Sequence, residues 1–163
     1  TPSLEEKADI ARNAINLFKA LNGVDAIAKI AVLAAVETVN PEMPSTIDAA
    51  CLSKMAQRGQ IQGALIDGPL AFDNAISRKA ADAKGIVSEV AGDADILLMP
   101  NLEAGNMMAK QLTFLGHAEA AGLVLGARIP IILTSRADSL LTRLHSCALA
   151  VRVSYAHQNG VFV

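Results

Sequence analysis

Apolar runs of strand length alternate along this chain with helix-length amphipathic segments, and that alternation limits the fold more than any other feature. Ser3-Leu4-Glu5-Glu6 has the spacing of a capping box, with Ser3 as N-cap and Glu6 at the third helical position. Leu4, Ile10, Ala11, Ala14, Ile15, Phe18 and Leu21 then share one helical face, and Asn22-Gly23 ends the helix. The run 29–36 predicts a buried strand. After the loop Asn40-Pro41-Glu42-Met43-Pro44, Ser45 or Thr46 is placed to cap a helix to about 58. The pattern repeats as strand 63–66 and helix 73–83, then strand 94–99 and helix 103–115. Strands at 123–125 and 129–134 and a closing helix over 138–153 complete it. Strands alternating with helices predict an α/β three-layer sandwich with a mainly parallel sheet covered on both faces.

Composition narrows the function classes. Hydrophobic residues make up 52% of 163, but aromatics only 3% with no Trp. Ala, Leu, Ile and Val must therefore fill the interior, and platforms for stacking bases are not expected. A net charge of -2 with interspersed signs argues against nucleic acid and anionic membrane partners. No run approaches the roughly 18 apolar residues of a membrane span, and the start lacks a basic-then-apolar secretory pattern. The expectation is a cytoplasmic protein with Cys51 and Cys147 as buried, reduced thiols. No Cys or His spacing suggests a metal site.

In an open parallel sheet, ligands gather beyond the carboxyl ends of the strands. Three predicted strands end in polar, Gly- or Pro-containing turns: Asp67-Gly68-Pro69, Pro100-Asn101-Leu102-Glu103-Ala104-Gly105-Asn106 and Thr134-Ser135-Arg136-Ala137-Asp138-Ser139. Arg136, between a strand end and a helix start, suits an oxyanion held by its planar fork and by free helix N–H groups. Spacing equally allows Ser135 to cap backbone amides while Arg136 pairs with a surface carboxylate. Asp138 suits the N-cap of the last helix, and Asp67-Gly68-Pro69 a simple turn. Glu103 is favoured at a helix start whatever its role. Asn101 and Asn106 suit local hydrogen bonds, and Gly105 in a first helical turn suits close ligand approach. There is no Walker motif, dinucleotide fingerprint or nucleophile elbow.

At these turns the sequence resembles the phosphate acetyl/butyryltransferase family over nearly its whole length. The segments that carry the resemblance are Val36-Glu37-Thr38-Val39-Asn40-Pro41-Glu42-Met43-Pro44, Asp67-Gly68-Pro69-Leu70-Ala71-Phe72-Asp73-Asn74-Ala75, Val90-Ala91-Gly92, 94–106 and Leu133-Thr134-Ser135-Arg136-Ala137-Asp138-Ser139. Their flavour is closer to the butyryl-type branch, which includes the acyltransferase part of fused enoyl-CoA hydratase/phosphate acetyltransferases. The resemblance implies two α/β domains of isocitrate/isopropylmalate dehydrogenase-like architecture, incomplete here, with the site in the cleft between them. Residues 3–121 correspond to an inserted domain and 122–163 to the returning strand and helix of the first domain. A full family member is about twice this length, which places the amino-terminal part of that domain outside this sequence.

The resemblance further implies exchange of an acyl group between coenzyme A and phosphate, with CoA as substrate, no covalently bound cofactor, no metal and a homodimer. Ser135 and Arg136 would then serve the tetrahedral intermediate and phosphate. Asp67, Asn101, Glu103, Gly105 and Asn106 would line the substrate site. In the acetyl-type branch, an Asp soon after the Ser-Arg pair is proposed as base for the thiol. The corresponding position here is Thr142, which leaves Asp138 as the nearest carboxylate. The alternatives are a non-catalytic acyl-CoA-binding or oligomerisation module of this fold, and a decarboxylating dehydrogenase relative.

Overall fold

The computed structural model describes residues 1–161. By internal contacts the chain divides into two compact units: Thr1–Ile15 with Ile27–Gly105, and Asn16–Ala26 with Asn106–Val163.

The first unit is built on a parallel sheet. β1 (Ala28–Leu33) lies between β2 (Ala64–Leu70) and β3 (Ile96–Leu98). β1 is the central strand and is almost wholly buried, as its run Ala28-Lys29-Ile30-Ala31-Val32-Leu33, apolar but for the partly exposed Lys29, predicts for a strand covered on both faces. Helix α1 (Leu4–Asn22) opens with the expected capping box. Ser3 N–H donates to Glu6 Oε2 at 2.7 Å, and Glu6 N–H to Ser3 Oγ at 3.3 Å. The bond from the Ser3 N–H holds the Glu6 carboxyl below its ordinary pKa.

Helix α2 (Pro44–Gln57) differs from expectation at its start. Neither Ser45 nor Thr46 caps it; Pro44 occupies the first turn instead, where a missing N–H costs nothing. Thr46 is fully buried, and its hydroxyl ties the preceding loop through Asn40 N, Asn40 O and Met43 O. α1 and α2 are joined by a buried ion pair, Lys7 Nζ to Asp48 Oδ2 at 2.6 Å.

The helix expected over 73–83 is two: α3 (Phe72–Ile76) and α4 (Arg78–Ala83). Ser77 breaks it by taking an extended conformation, and its hydroxyl accepts from Ala80 N at 3.3 Å as the N-cap of α4. A core of Ala31, Leu33, Leu70, Ala75, Ala81, Val90 and Ala91 packs the strand ends against these helices.

Helix α5 (Leu102–Phe114) crosses from the first unit into the second. The second unit holds β4 (Leu123–Val124), β5 (Ile131–Ile132) and helix α6 (Leu140–Gln158). β4 and β5 pair antiparallel, so the strand predicted over 129–134 shrinks to two residues and lies outside the parallel sheet. Pro130 supplies no N–H before it, and the turn at Thr134 follows at once. The closing helix starts two residues later than predicted and runs five residues further; it turns Cys147 outward, so that thiol is exposed rather than buried as expected, and Cys51 on α2 is only half-buried.

Candidate active site

In the first unit, the polar turns gather at the carboxyl end of the sheet. Asp67-Gly68-Pro69 is not the turn predicted after a strand; it lies within β2. The register passes from Ala31 opposite Asp67 to Leu33 opposite Leu70, which leaves Gly68 and Pro69 opposite Val32 alone. This is a β-bulge on an edge strand, where proline removes no ladder bond. Gly68 is required by space: a Cβ there would lie 2.7 Å from Val32 O and 3.1 Å from the Ala49 Cβ. The Asp67 carboxylate accepts from Gly68 N–H at 2.8 Å, and the residue also lines a cavity of about 300 Å³ with Ser53, Gln57 and Glu89.

Across β1, at the end of β3, Asn101 caps α5: its Oδ1 accepts from Ala104 N at 2.9 Å. Glu103 is exposed in the first turn of that helix. Gly105 is half-buried, and a Cβ there would meet Met99 only at ordinary contact distance, so the chain itself does not demand glycine.

A polar cluster with no local signature in the sequence stands at the same end. Lys84 Nζ pairs with Glu37 at 3.1 Å and Asp73 at 3.3 Å. The fully buried Asn74 donates through Nδ2 to Glu37 Oε2 at 3.3 Å, while its Oδ1 is buried without a hydrogen-bond partner. The Lys84 ammonium holds the Glu37 carboxyl below its ordinary pKa, and Lys84 is itself raised, chiefly by Glu37. Glu37 and Asn74 both fall in segments quoted above, but nothing local in the sequence shows that they meet.

The second unit carries Asn106, exposed on α5, and the turn between β5 and α6. That turn is self-ordered. Ser135 N–H donates to Asp138 Oδ2 at 2.5 Å, Asp138 N–H to Ser135 O at 3.1 Å, and Ala137 N–H to Ser135 Oγ at 3.4 Å. The N-cap of α6 is Ser139 rather than Asp138; its hydroxyl accepts from Thr142 N at 3.1 Å. Arg136 is exposed and makes no ion pair with any described residue, so the surface pairing allowed by the sequence does not form. The turn thus presents a free guanidinium just before a helix N-terminus, an arrangement suited to an oxyanion. Ser135, Arg136 and Asp138 are brought together here. Asp67, Asn101, Glu103 and Gly105 belong to the other unit.

The first unit is a parallel α/β sheet with polar strand-end loops, and the second carries an exposed turn suited to an oxyanion; the class is an α/β protein. The chain belongs to the Phosphate acetyl/butaryl transferase family, whose model matches residues 1–151. It is 63% identical to the phosphate acetyltransferase of Rhizobium meliloti over 149 residues, which is 91% of this chain and 46% of that protein. It is 51% identical to the phosphate butyryltransferase of Clostridium acetobutylicum over 153 residues, covering 94% of this chain and 50% of that protein. The chain thus spans about half the length of the curated relatives it matches. A branched-chain phosphotransacylase from Enterococcus faecalis V583 superposes with a TM-score of 0.84 at 36% identity, over 94% of this chain and 54% of that one.

Among the described residues, no group of three or more His, Cys, Asp or Glu side chains is placed to hold a metal ion. No helix among them is long and apolar enough to cross a membrane.

Proposed function

We propose that the protein to which this chain belongs is a phosphate acyltransferase, interconverting acyl-CoA plus phosphate with acyl phosphate plus CoA. Arg136, which pairs with no described residue and sits on a turn ordered by Ser135 and Asp138, carries this reading.

In the phosphorolysis direction, a phosphate oxygen bonds to the thioester carbonyl carbon. The tetrahedral intermediate then collapses by breaking the C–S bond, and CoA leaves as thiolate and takes up a proton. A dianionic nucleophile and an anionic intermediate both need fixed positive charge and hydrogen-bond donors. Arg136 supplies the charge and a bidentate fork, and the Ser135 hydroxyl donates to the intermediate. With one oxygen engaged by Ser135 N–H, the Asp138 carboxylate suits orienting the turn better than collecting the thiol proton. Asp67, Asn101, Glu103, Gly105 and Asn106 belong to the substrate site in this proposal, with CoA as substrate and no covalently bound cofactor.

The proposed architecture is the two-domain, isocitrate/isopropylmalate dehydrogenase-like one, with residues 3–121 as the inserted domain and 122–163 as the returning piece of the first. Its support is an apolar stripe on α6: Leu140, Leu144, Val151 and Tyr155 recur at helical spacing and are 74%, 55%, 70% and 62% exposed. Such a stripe suits packing against more of that domain. A cytoplasmic homodimer belongs to the same proposal.

The test is CoA release from acetyl-, propionyl- and butyryl-CoA with inorganic phosphate, using the protein at its full encoded length. Phosphate-dependent release from at least one thioester is expected. CoA binding without turnover of any of them would instead indicate a non-catalytic acyl-CoA binder.

A further inference from the structure

Ser146 is fully buried on α6, yet it is a polar residue on the face that otherwise holds Ala150 and Val153. Its hydroxyl makes two bonds that the helix does not need. It donates to Thr142 O at 2.7 Å and accepts from Gly122 N–H at 3.0 Å. Gly122 O in turn accepts from Leu133 N–H at 3.1 Å, and Leu133 stands two residues before Ser135. At the other end of the turn, Thr142 N–H donates to the Ser139 hydroxyl, and the Ser139 and Thr142 hydroxyls lie 3.1 Å apart.

These bonds close a ring: Leu133 to Gly122, Gly122 to Ser146, Ser146 to Thr142, and Thr142 to Ser139. Segment 133–139 spans the gap in that ring, so both of its ends are fixed from one buried hydroxyl. Gly122 is part of the device, because a Cβ there would collide with Leu133 O. Thr142, at the position where the acetyl-type pattern has a carboxylate, is thus occupied in capping.

We propose that Ser146 is a positioning residue for the phosphate turn, acting through the Gly122–Leu133 link and the Thr142–Ser139 cap to hold Ser135 and Arg136 in productive geometry. This rests on the acyltransferase reading above. A ring of this kind sets position with no contact to substrate. A displacement of about 1 Å in such a turn is enough to lower turnover by up to about 100-fold.

The experiment compares wild type, Ser135→Ala, Ser146→Ala and the double variant at full encoded length, by steady-state CoA release against phosphate and by thermal unfolding. Ser146→Ala is expected to lower kcat/KM for phosphate by about tenfold or more. In the Ser135→Ala background it should cost clearly less than in wild type, because one of the two side chains it positions is gone. Wild-type kinetics in Ser146→Ala beside an impaired Ser135→Ala overturns the positioning role and leaves the activity reading intact. Fully multiplicative losses that track unfolding temperature also overturn it, by showing a general structural effect. A wild type that releases no CoA overturns the activity reading, and this proposal with it. If Ser146→Ala does not fold, Ser146→Cys takes its place, since sulfur keeps the volume and holds both bonds poorly, and the same outcomes apply.

Discussion

Replacing Asp48 with alanine strands a buried ammonium, and the size of the loss follows from its surroundings. The Lys7 side chain is 3% exposed and that of Asp48 is 26% exposed, with 2.6 Å between Nζ and Oδ2. Breaking a buried pair from one side costs about 3–5 kcal/mol, because the remaining charge keeps its desolvation penalty. Water reaching the Asp48 end reduces this, which puts the expected loss near 2 kcal/mol. In a chain of this size, such a loss lowers the unfolding midpoint by about 4–8 °C. Removing both charges, as in Lys7→Met with Asp48→Leu, leaves nothing stranded and is expected within about 1 kcal/mol of wild type. Thermal and urea unfolding followed by circular dichroism measure both variants. A negligible shift in Asp48→Ala, or a double variant as unstable as the single one, refutes the reasoning.

Lys84→Met tests the cluster at the sheet end through pH. The Glu37 carboxyl is held below its ordinary value by the Lys84 hydrogen bond, so its contribution exists above pH 4.5 and disappears as pH falls through the lowered value. Lys84, raised by Glu37, contributes below pH 10.5 and loses that contribution as pH rises through the raised value. The variant is therefore expected to be less stable than wild type near pH 7, with a gap that narrows as pH falls below 4.5 and the paired carboxylates take up protons; a gap that does not change with pH contradicts the pairing. Gly68→Ala pushes a Cβ against Val32 and Ala49 and is expected to cost about 1–3 kcal/mol in urea unfolding; no loss would mean the bulge yields freely. Ser3→Ala removes the capping box of α1, with an expected loss of about 1 kcal/mol by the same assay and no change in any CoA-linked activity.

Much of the first unit was legible because β1 and α1 are set by local signals, an apolar run and a capping box, while Pro44, read as loop, opens α2. The sequence misplaced what depends on neighbours. Asp67-Gly68-Pro69 has turn composition, but pairing with β1 draws it into a bulged edge strand. The segment 73–83 is helical in pattern, and Ser77 divides it by capping the next helix. The run 129–134 looked like a core strand from composition alone, yet only β4 pairs with it and Ile131 and Ile132 stay largely exposed. At the candidate site, the Ser135 and Arg136 turn was legible from its place between strand and helix. The ring through Gly122, Ser146 and Thr142 was not, since a buried serine on an apolar helical face has no local signature, and its partner Gly122 lies 24 residues away.

The central claim is that the turn at Ser135 and Arg136 binds the phosphate that attacks the thioester. Arg136→Ala at full encoded length, assayed for CoA release across a range of phosphate concentrations, tests it most directly. The account predicts a fall in kcat/KM for phosphate of at least about 100-fold with the unfolding midpoint unchanged, because an exposed, unpaired arginine serves ligand rather than fold. Near-normal phosphorolysis by that variant would contradict it.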